Sequence, residues 1–153
     1  MLYPDPFKTP GILRDGELSL RLKACVPADL LKGYVPAYSF VMDVDGKDAG
    51  DIGLRIGNSP PLRGWCGHIG YDVEEAFRGH RYAARSVRLL LPLAYRHAIN
   101  PLWITCAPDN IASARSCELA GGVYVETIAI PEGTEMYNEG RRHSMRWCFD
   151  TRK

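Results

Sequence analysis

No apolar run in this chain is long enough to span a bilayer. The longest, residues 89–95, falls far short of the roughly 20 residues that a crossing helix needs. The opening residues, MLYPDPFKTPGILRDGEL, carry no apolar stretch of the kind that marks a secretory signal. Charge of one sign is not in excess either. Lys and Arg total 19 against 18 Asp and Glu, a net charge of +1. That balance argues against a general nucleic-acid coat and a polybasic membrane anchor, and leaves room for a local basic patch. Cys25, Cys66, Cys106, Cys117 and Cys148 are odd in number and widely spaced. With no CxxC pair and no HxxxH, no zinc-site spacing occurs and no metal is expected. Five reduced thiols fit a soluble, cytoplasmic protein. Walker A is absent, and Gly64-Trp65-Cys66-Gly67-His68-Ile69-Gly70 is not GxGxxG and leads into a strand, which argues against a nucleotide-binding α/β protein.

What is present describes one globular domain over residues 1–153. Residues 1–16, rich in Pro and Gly, read as an irregular arm. Leu18, Leu20 and Leu22 alternate with polar neighbours, which predicts a strand over 17–25. Residues 27–31 allow one short helix. Strands follow over 37–44, 51–57 and 65–73, the first ending at the hairpin signal Asp45-Gly46. The period then becomes helical over 81–98, where Ala83, Val87, Leu90, Leu91 and Ala94 share a face despite Pro92. A short apolar strand, 102–106, leads to a second helix, 111–120, capped by Asp109 or Asn110 and stopped at Gly121-Gly122. Strands over 123–130 and 141–149 complete an α+β order.

The junction after Val73 carries the chemistry. A strand ends, and a turn containing Gly79 opens an amphipathic helix. A helix start presents unpaired N–H groups and a partial positive charge, which suit a phosphate or pyrophosphate. Arg78, Arg81 and Arg85 add positive charge, and Gly79 permits close backbone approach.

Here the chain resembles the GNAT superfamily of acyl-CoA-dependent N-acetyltransferases. Their pyrophosphate loop reads [QR]-x-x-G-x-[GA], and this chain has Arg78-Gly79-His80-Arg81-Tyr82-Ala83, matching at the first and last positions but with Arg81 in place of glycine. The stretch from Asp109 and Asn110 through Ser113 and Glu118 to Gly121 falls in register with the family's second motif. The resemblance runs from about residue 37 to the C-terminus. It implies a mixed, mostly antiparallel sheet in which two central strands, about 65–73 and 102–106, splay apart to admit acetyl-CoA as co-substrate. It further implies that backbone groups of Tyr71, Asp72 and Val73 pair with the pantetheine arm, that Arg78, Gly79, His80, Arg81, Tyr82 and Ala83 hold the pyrophosphate, and that Asn110 and Ser113 line the far side.

The implied reaction is direct attack of a primary amine, on a small molecule or peptide, upon the acetyl thioester. The alternative is a non-catalytic acyl-CoA-binding or sensing module on the same fold. His68 is a candidate base beside the splay, with Glu74, Glu75 and His143 as others. The family's acid tyrosine falls on Cys117, whose thiol is a candidate proton donor or a buried apolar residue. Trp65, Tyr34, Tyr38 and Tyr137 are candidate acceptor-pocket walls. Strands 123–130 and 141–149, with Arg141, Arg142 and Arg146 as edge charges, leave monomer and homodimer equally open.

Overall fold

The computed structural model describes residues 6–152; residues 1–5 of the expected arm lie outside the described residues. Among the described residues eight strands form: β1 (Arg14–Asp15), β2 (Leu18–Val26), β3 (Ala37–Val44), β4 (Lys47–Arg55), β5 (Ile69–Val73), β6 (Leu102–Cys106), β7 (Val123–Ala129) and β8 (His143–Phe149). The first five make one antiparallel sheet in sequential order. The last three make a second sheet in the order β6-β8-β7. The expected α+β architecture with its parted strands is observed.

Asp45 and Gly46 both take positive φ, 52° and 84°, so the anticipated hairpin turn joins β3 to β4 tightly, and β4 begins at once rather than at residue 51. The alternation in β3 sends Tyr38, Phe40, Met42 and Val44 into the core. Helix α1 (Tyr82–Arg96) covers that face. Its inward stripe of Val87, Leu90, Leu91, Leu93 and Ala94 is buried, each large side chain contributing about 1.5–3 kcal/mol. Pro92 faces solvent, so its ring meets no core neighbour. Helix α2 (Ile111–Leu119) follows β6, and a single turn, α3 (Glu135–Asn138), lies in the segment before β8.

Three expectations are corrected. Residues 27–36 form no helix; they make a turn closed by an Asp29–Tyr34 bridge. Residues 65–66 are not strand but the end of a π-helical turn, Leu62–Cys66, started by Pro60-Pro61 and closed by Gly67 N–H donating to the Leu62 carbonyl at 3.0 Å. Strand β8 is the central strand of its sheet, so Arg146 is no edge charge. It pairs with Glu126 at 2.7 Å and lies over the Trp103 ring. Of the two late strands, β7 alone keeps an open edge.

Candidate active site

The two sheets are pinned together at one point. His68 N–H donates to the Trp103 carbonyl at 2.7 Å, and Trp103 N–H donates back to His68 Nδ1 at 2.9 Å. That second bond makes Nδ1 an acceptor, so the proton sits on Nε2, which donates to the Gly57 carbonyl at 3.0 Å. Gly67, at φ 75°, lets the chain pass β6 so closely that a Cβ there would lie 3.1 Å from the Thr105 nitrogen. Thr105 Oγ1 donates to the carbonyls of Trp65 and Cys66 and fastens the π-helical turn to β6. Beyond this pin β5 and β6 belong to separate sheets, and a cleft opens between them.

His68 is thereby corrected from candidate base to structural pin. It is fully buried with both ring nitrogens engaged, and burial holds its pKa below the usual histidine value, so it stays neutral. Glu74, Glu75 and His143 are exposed and line neither cavity described below. The expected aromatic walls are also elsewhere. Tyr38 is in the core with its hydroxyl 2.6 Å from His97 Nε2, and Tyr34 donates to the Glu135 carboxylate.

Two cavities, of about 390 and 400 Å³, occupy the cleft and share Tyr71, Asn110 and Ser113 as a common wall. The first runs along the end of β5, past Asp72 and Val73, to the start of α1. Arg78, Gly79, Arg81, Tyr82 and Ala83 line it; His80 does not, and stacks instead on Tyr82. Gly79 has φ 92° and open space around it. Arg81 is not helical as its sequence position suggests. It takes the left-handed conformation, φ 63°, that a glycine adopts without steric penalty, and it precedes the helix with no side-chain cap. Among the described residues the first-turn amides of α1 therefore lack a side-chain capping acceptor, at the helix end that favours anions.

The cations here are unequal. Arg85 is bound to Asp15 and Glu17, both at 2.7 Å, and this guanidinium holds the Glu17 carboxyl down at about 2. Its charge is matched within the protein and is not available to a ligand. Arg78 Nε donates to the Val73 carbonyl at 3.0 Å, which occupies one of the two acceptor positions of that oxygen. Strand β5 pairs with β4 on one edge only, so its other edge borders the cleft.

Asn110 caps α2, its side chain accepting from Ser113 N–H at 3.0 Å, while also lining both cavities. The Tyr71 side chain spans the cleft. Its hydroxyl lies 2.9 Å from Ser113 Oγ and 4.0 Å from Cys117 Sγ. Cys117 is fully buried behind it, and burial pushes its thiol up to about 12. It lines neither cavity, which fits the apolar reading of this residue rather than the proton donor. Tyr71 was expected only as a backbone partner; its side chain was missed because alternation in a strand does not reveal what a ring will reach across a gap. The second cavity adds Arg55, Cys66, Thr105 and Arg141. None was singled out as a cleft residue, since β4, the π-helical turn, β6 and the segment before β8 are distant in sequence. Among the described residues no cluster of His, Cys, Asp or Glu could hold a metal ion, and no helix is long and apolar enough to cross a membrane.

This arrangement has relatives of known structure. RimL, a ribosomal L7/L12 alpha-N-protein acetyltransferase, superposes with a TM-score of 0.64 at 18% identity, over 92% of this chain and 98% of its own. The microcin C7 self-immunity acetyltransferase MccE, solved with acetyl-CoA and AMP, gives 0.58 at 16% identity over 74% of this chain. This chain spans only 61% of that protein. A ribosomal-protein-S5-alanine acetyltransferase from Vibrio fischeri gives 0.58 at 18% identity, over 75% and 62% of the two chains. At such identities these likenesses speak to the fold. No curated protein sequence matches the chain. The model of the acetyltransferase (GNAT) domain matches residues 15–123, well over half of the sequence. The chain therefore belongs to the GNAT acetyltransferase family, enzymes whose acyl donor is acetyl-CoA.

Proposed function

We propose that the protein is a cytoplasmic N-acetyltransferase that moves the acetyl group of acetyl-CoA to a primary amine of a small molecule or peptide by direct attack. The observation that carries this reading is the pair of cavities meeting at Tyr71, Asn110 and Ser113, one at an uncapped helix start and the other at the pinned base of the cleft. The free edge of β5 runs beside the first, so an extended amide chain can add to it as a strand would. The α1 amides, with Gly79, Arg78 and Arg81, suit a pyrophosphate. Five unpaired cysteines support a reducing compartment.

The donor supplies an acyl thioester whose carbon takes the amine lone pair, so that a C–N bond forms and the C–S bond breaks. The protein then has three tasks. Backbone N–H groups of β5 on the cleft edge stabilise the negative oxygen. No carboxylate or histidine lines the second cavity, so the ammonium proton leaves to water. The departing sulfur needs a donor, and the hydroxyls common to both cavities are those of Tyr71 and Ser113, of which Tyr71 spans the cleft. Burial raises the Tyr71 pKa above the ordinary tyrosine value, which makes full proton transfer to a thiolate uphill. The Tyr71 O–H, which donates to the Ser113 carbonyl at 3.3 Å, turns to hydrogen-bond the sulfur instead, with Ser113 Oγ 2.9 Å from the phenol oxygen.

Calorimetry tests the cofactor assignment. Wild type is expected to bind CoA at micromolar levels, and Gly79→Glu to lose at least about tenfold, since a carboxylate would stand in the anion site. Wild-type protein that does not bind CoA would sink the assignment. Release of CoA thiol across a panel of amines tests transfer. Binding with no release for any amine would leave only the non-catalytic module. Tyr71→Phe is expected to lower turnover about tenfold, one charge-assisted hydrogen bond, while Cys117→Ala loses less. Equal turnover in Tyr71→Phe and wild type would remove the tyrosine from the mechanism.

A further inference from the structure

The second cavity has cations on its walls and no anion. Arg55, the last residue of β4, is half-buried; its Nη1 donates to the Gly67 carbonyl at 3.1 Å, and Nη2 lies beside Gly70 of β5. Arg141 reaches the same cavity from the loop after α3. Arg85, Arg146 and Arg152 have carboxylate partners, but among the described residues neither Arg55 nor Arg141 forms an ion pair, and the Arg141 side chain has no hydrogen-bond partner. The other ionisable groups in the wall, Cys66, Cys106 and Tyr71, are all held protonated by burial, so none supplies negative charge. Both guanidinium charges act on the Cys66 thiol, which places them in one field. Glu135 acts on that thiol too, but it does not line the cavity and its carboxylate takes the Tyr34 hydroxyl at 2.9 and 3.0 Å.

A half-buried guanidinium without a counter-charge is a fork of donors waiting for a planar anion. The same field repels an acceptor whose only charge is positive, such as an alkyl polyamine. We propose that this cavity binds the acceptor, and that the acceptor is an amine carrying a carboxylate, which sits on Arg55 and Arg141 while its amine faces the Tyr71–Ser113 bridge. The inference rests on the transferase reading above. The carboxylate belongs either to a free amino acid or to an acidic side chain at the start of a peptide.

Acetylated products probe the site without turnover. Calorimetry, with and without CoA present, compares N-acetylglycine with N-acetylglycinamide, and an acetylated Asp-Gly amide with its Asn-Gly counterpart. Each pair differs only in a carboxylate. In at least one pair the carboxylate member is expected to bind about tenfold more tightly, and Arg141→Gln to collapse that ratio. Preference in the first pair assigns a free amino acid, and in the second a peptide. Arg141 is exposed, so the variant should fold, and its melting temperature checks this. Arg55→Gln provides a second variant from the other wall. Equal affinity within both pairs would overturn the proposal, as would a preference that survives in both variants. Failure of the transferase reading looks different: CoA binding or thiol release then fails whatever charge the acceptor carries.

Discussion

Replacing His68 with alanine is expected to destabilise the protein by about 4 kcal/mol, with denaturant unfolding as the measurement. The imidazole fills a fully buried site and closes two hydrogen bonds from its ring, one from Trp103 N–H and one to the Gly57 carbonyl. Its loss leaves a buried donor and a buried acceptor unpaired, each costing about 1–3 kcal/mol, beside a new cavity. His68→Asn keeps an acceptor near Trp103 and should recover part of the loss. The pH dependence follows from the same burial. The folded pKa of His68 lies below its unfolded value of about 6.5, so the unfolded chain binds more protons at mildly acid pH. Stability from this residue is complete above pH of about 6.5 and is lost as pH falls from there through the folded pKa. His97, lowered by burial and by the charges of Lys8 and Arg96, acts in the same direction. Urea midpoints that fall on acidification in wild type should fall less steeply in His68→Asn. An unchanged midpoint in His68→Ala would show that the pin does not hold the sheets together.

Much of the scaffold is legible in the sequence because it rests on local periodicity. Strand 102–106 is found where its apolar run lies, β8 lies within its expected span, and α1 sits one to two residues inside its predicted bounds. The short helix expected at 27–31 fails because Pro27, Gly33 and Pro36 punctuate a stretch too short to nucleate one. The alternation of Ile69, Tyr71 and Val73 extends a predicted strand back over Trp65 and Cys66, the last two residues of the π-helical turn Leu62–Cys66, because the closing bond of that turn, from Gly67 to Leu62, leaves no trace in the periodicity.

The first cavity was legible for a different reason: its lining is nearly contiguous, from Tyr71 to Ala83 and again from Asn110 to Ser116, so a motif can carry it. The second cavity was not, because Arg55 and Arg141 stand 86 residues apart and meet only through the meander of the first sheet and the return of the chain after α3. The roles of the arginines follow the same logic. Arg85 is near the helix start in sequence, yet Asp15 and Glu17 claim it from the far end of the chain. Charge near a motif is visible in sequence; whether a partner already matches it is not.

Gly50→Ala is expected to cost about 3 kcal/mol of stability and to weaken CoA binding more than about tenfold, although residue 50 lines neither cavity. Gly50 sits in β4 with φ 148°, opposite Val73 in the β4–β5 pairing. A Cβ built there would lie 2.2 Å from the Asp72 carbonyl oxygen and 3.0 Å from Val73 Cα, both backbone atoms that cannot swing aside. The end of β5 must move away from β4 to admit a methyl group. That end is the wall of the first cavity, and the Val73 carbonyl also anchors Arg78 Nε at 3.0 Å, so the displacement passes into the turn ahead of α1. Gly46→Ala is the control. Its φ of 84° imposes a strain of about 1 kcal/mol, but nothing lies within 4 Å of the added carbon, and the hairpin tip is outside both cavities. It should lower the melting temperature modestly and leave CoA affinity intact. The two variants thus separate backbone strain, common to both, from the close approach that only Gly50 makes. A Gly50→Ala protein that binds CoA as tightly as wild type would mean that the position of Asp72 and Val73 does not govern the cofactor.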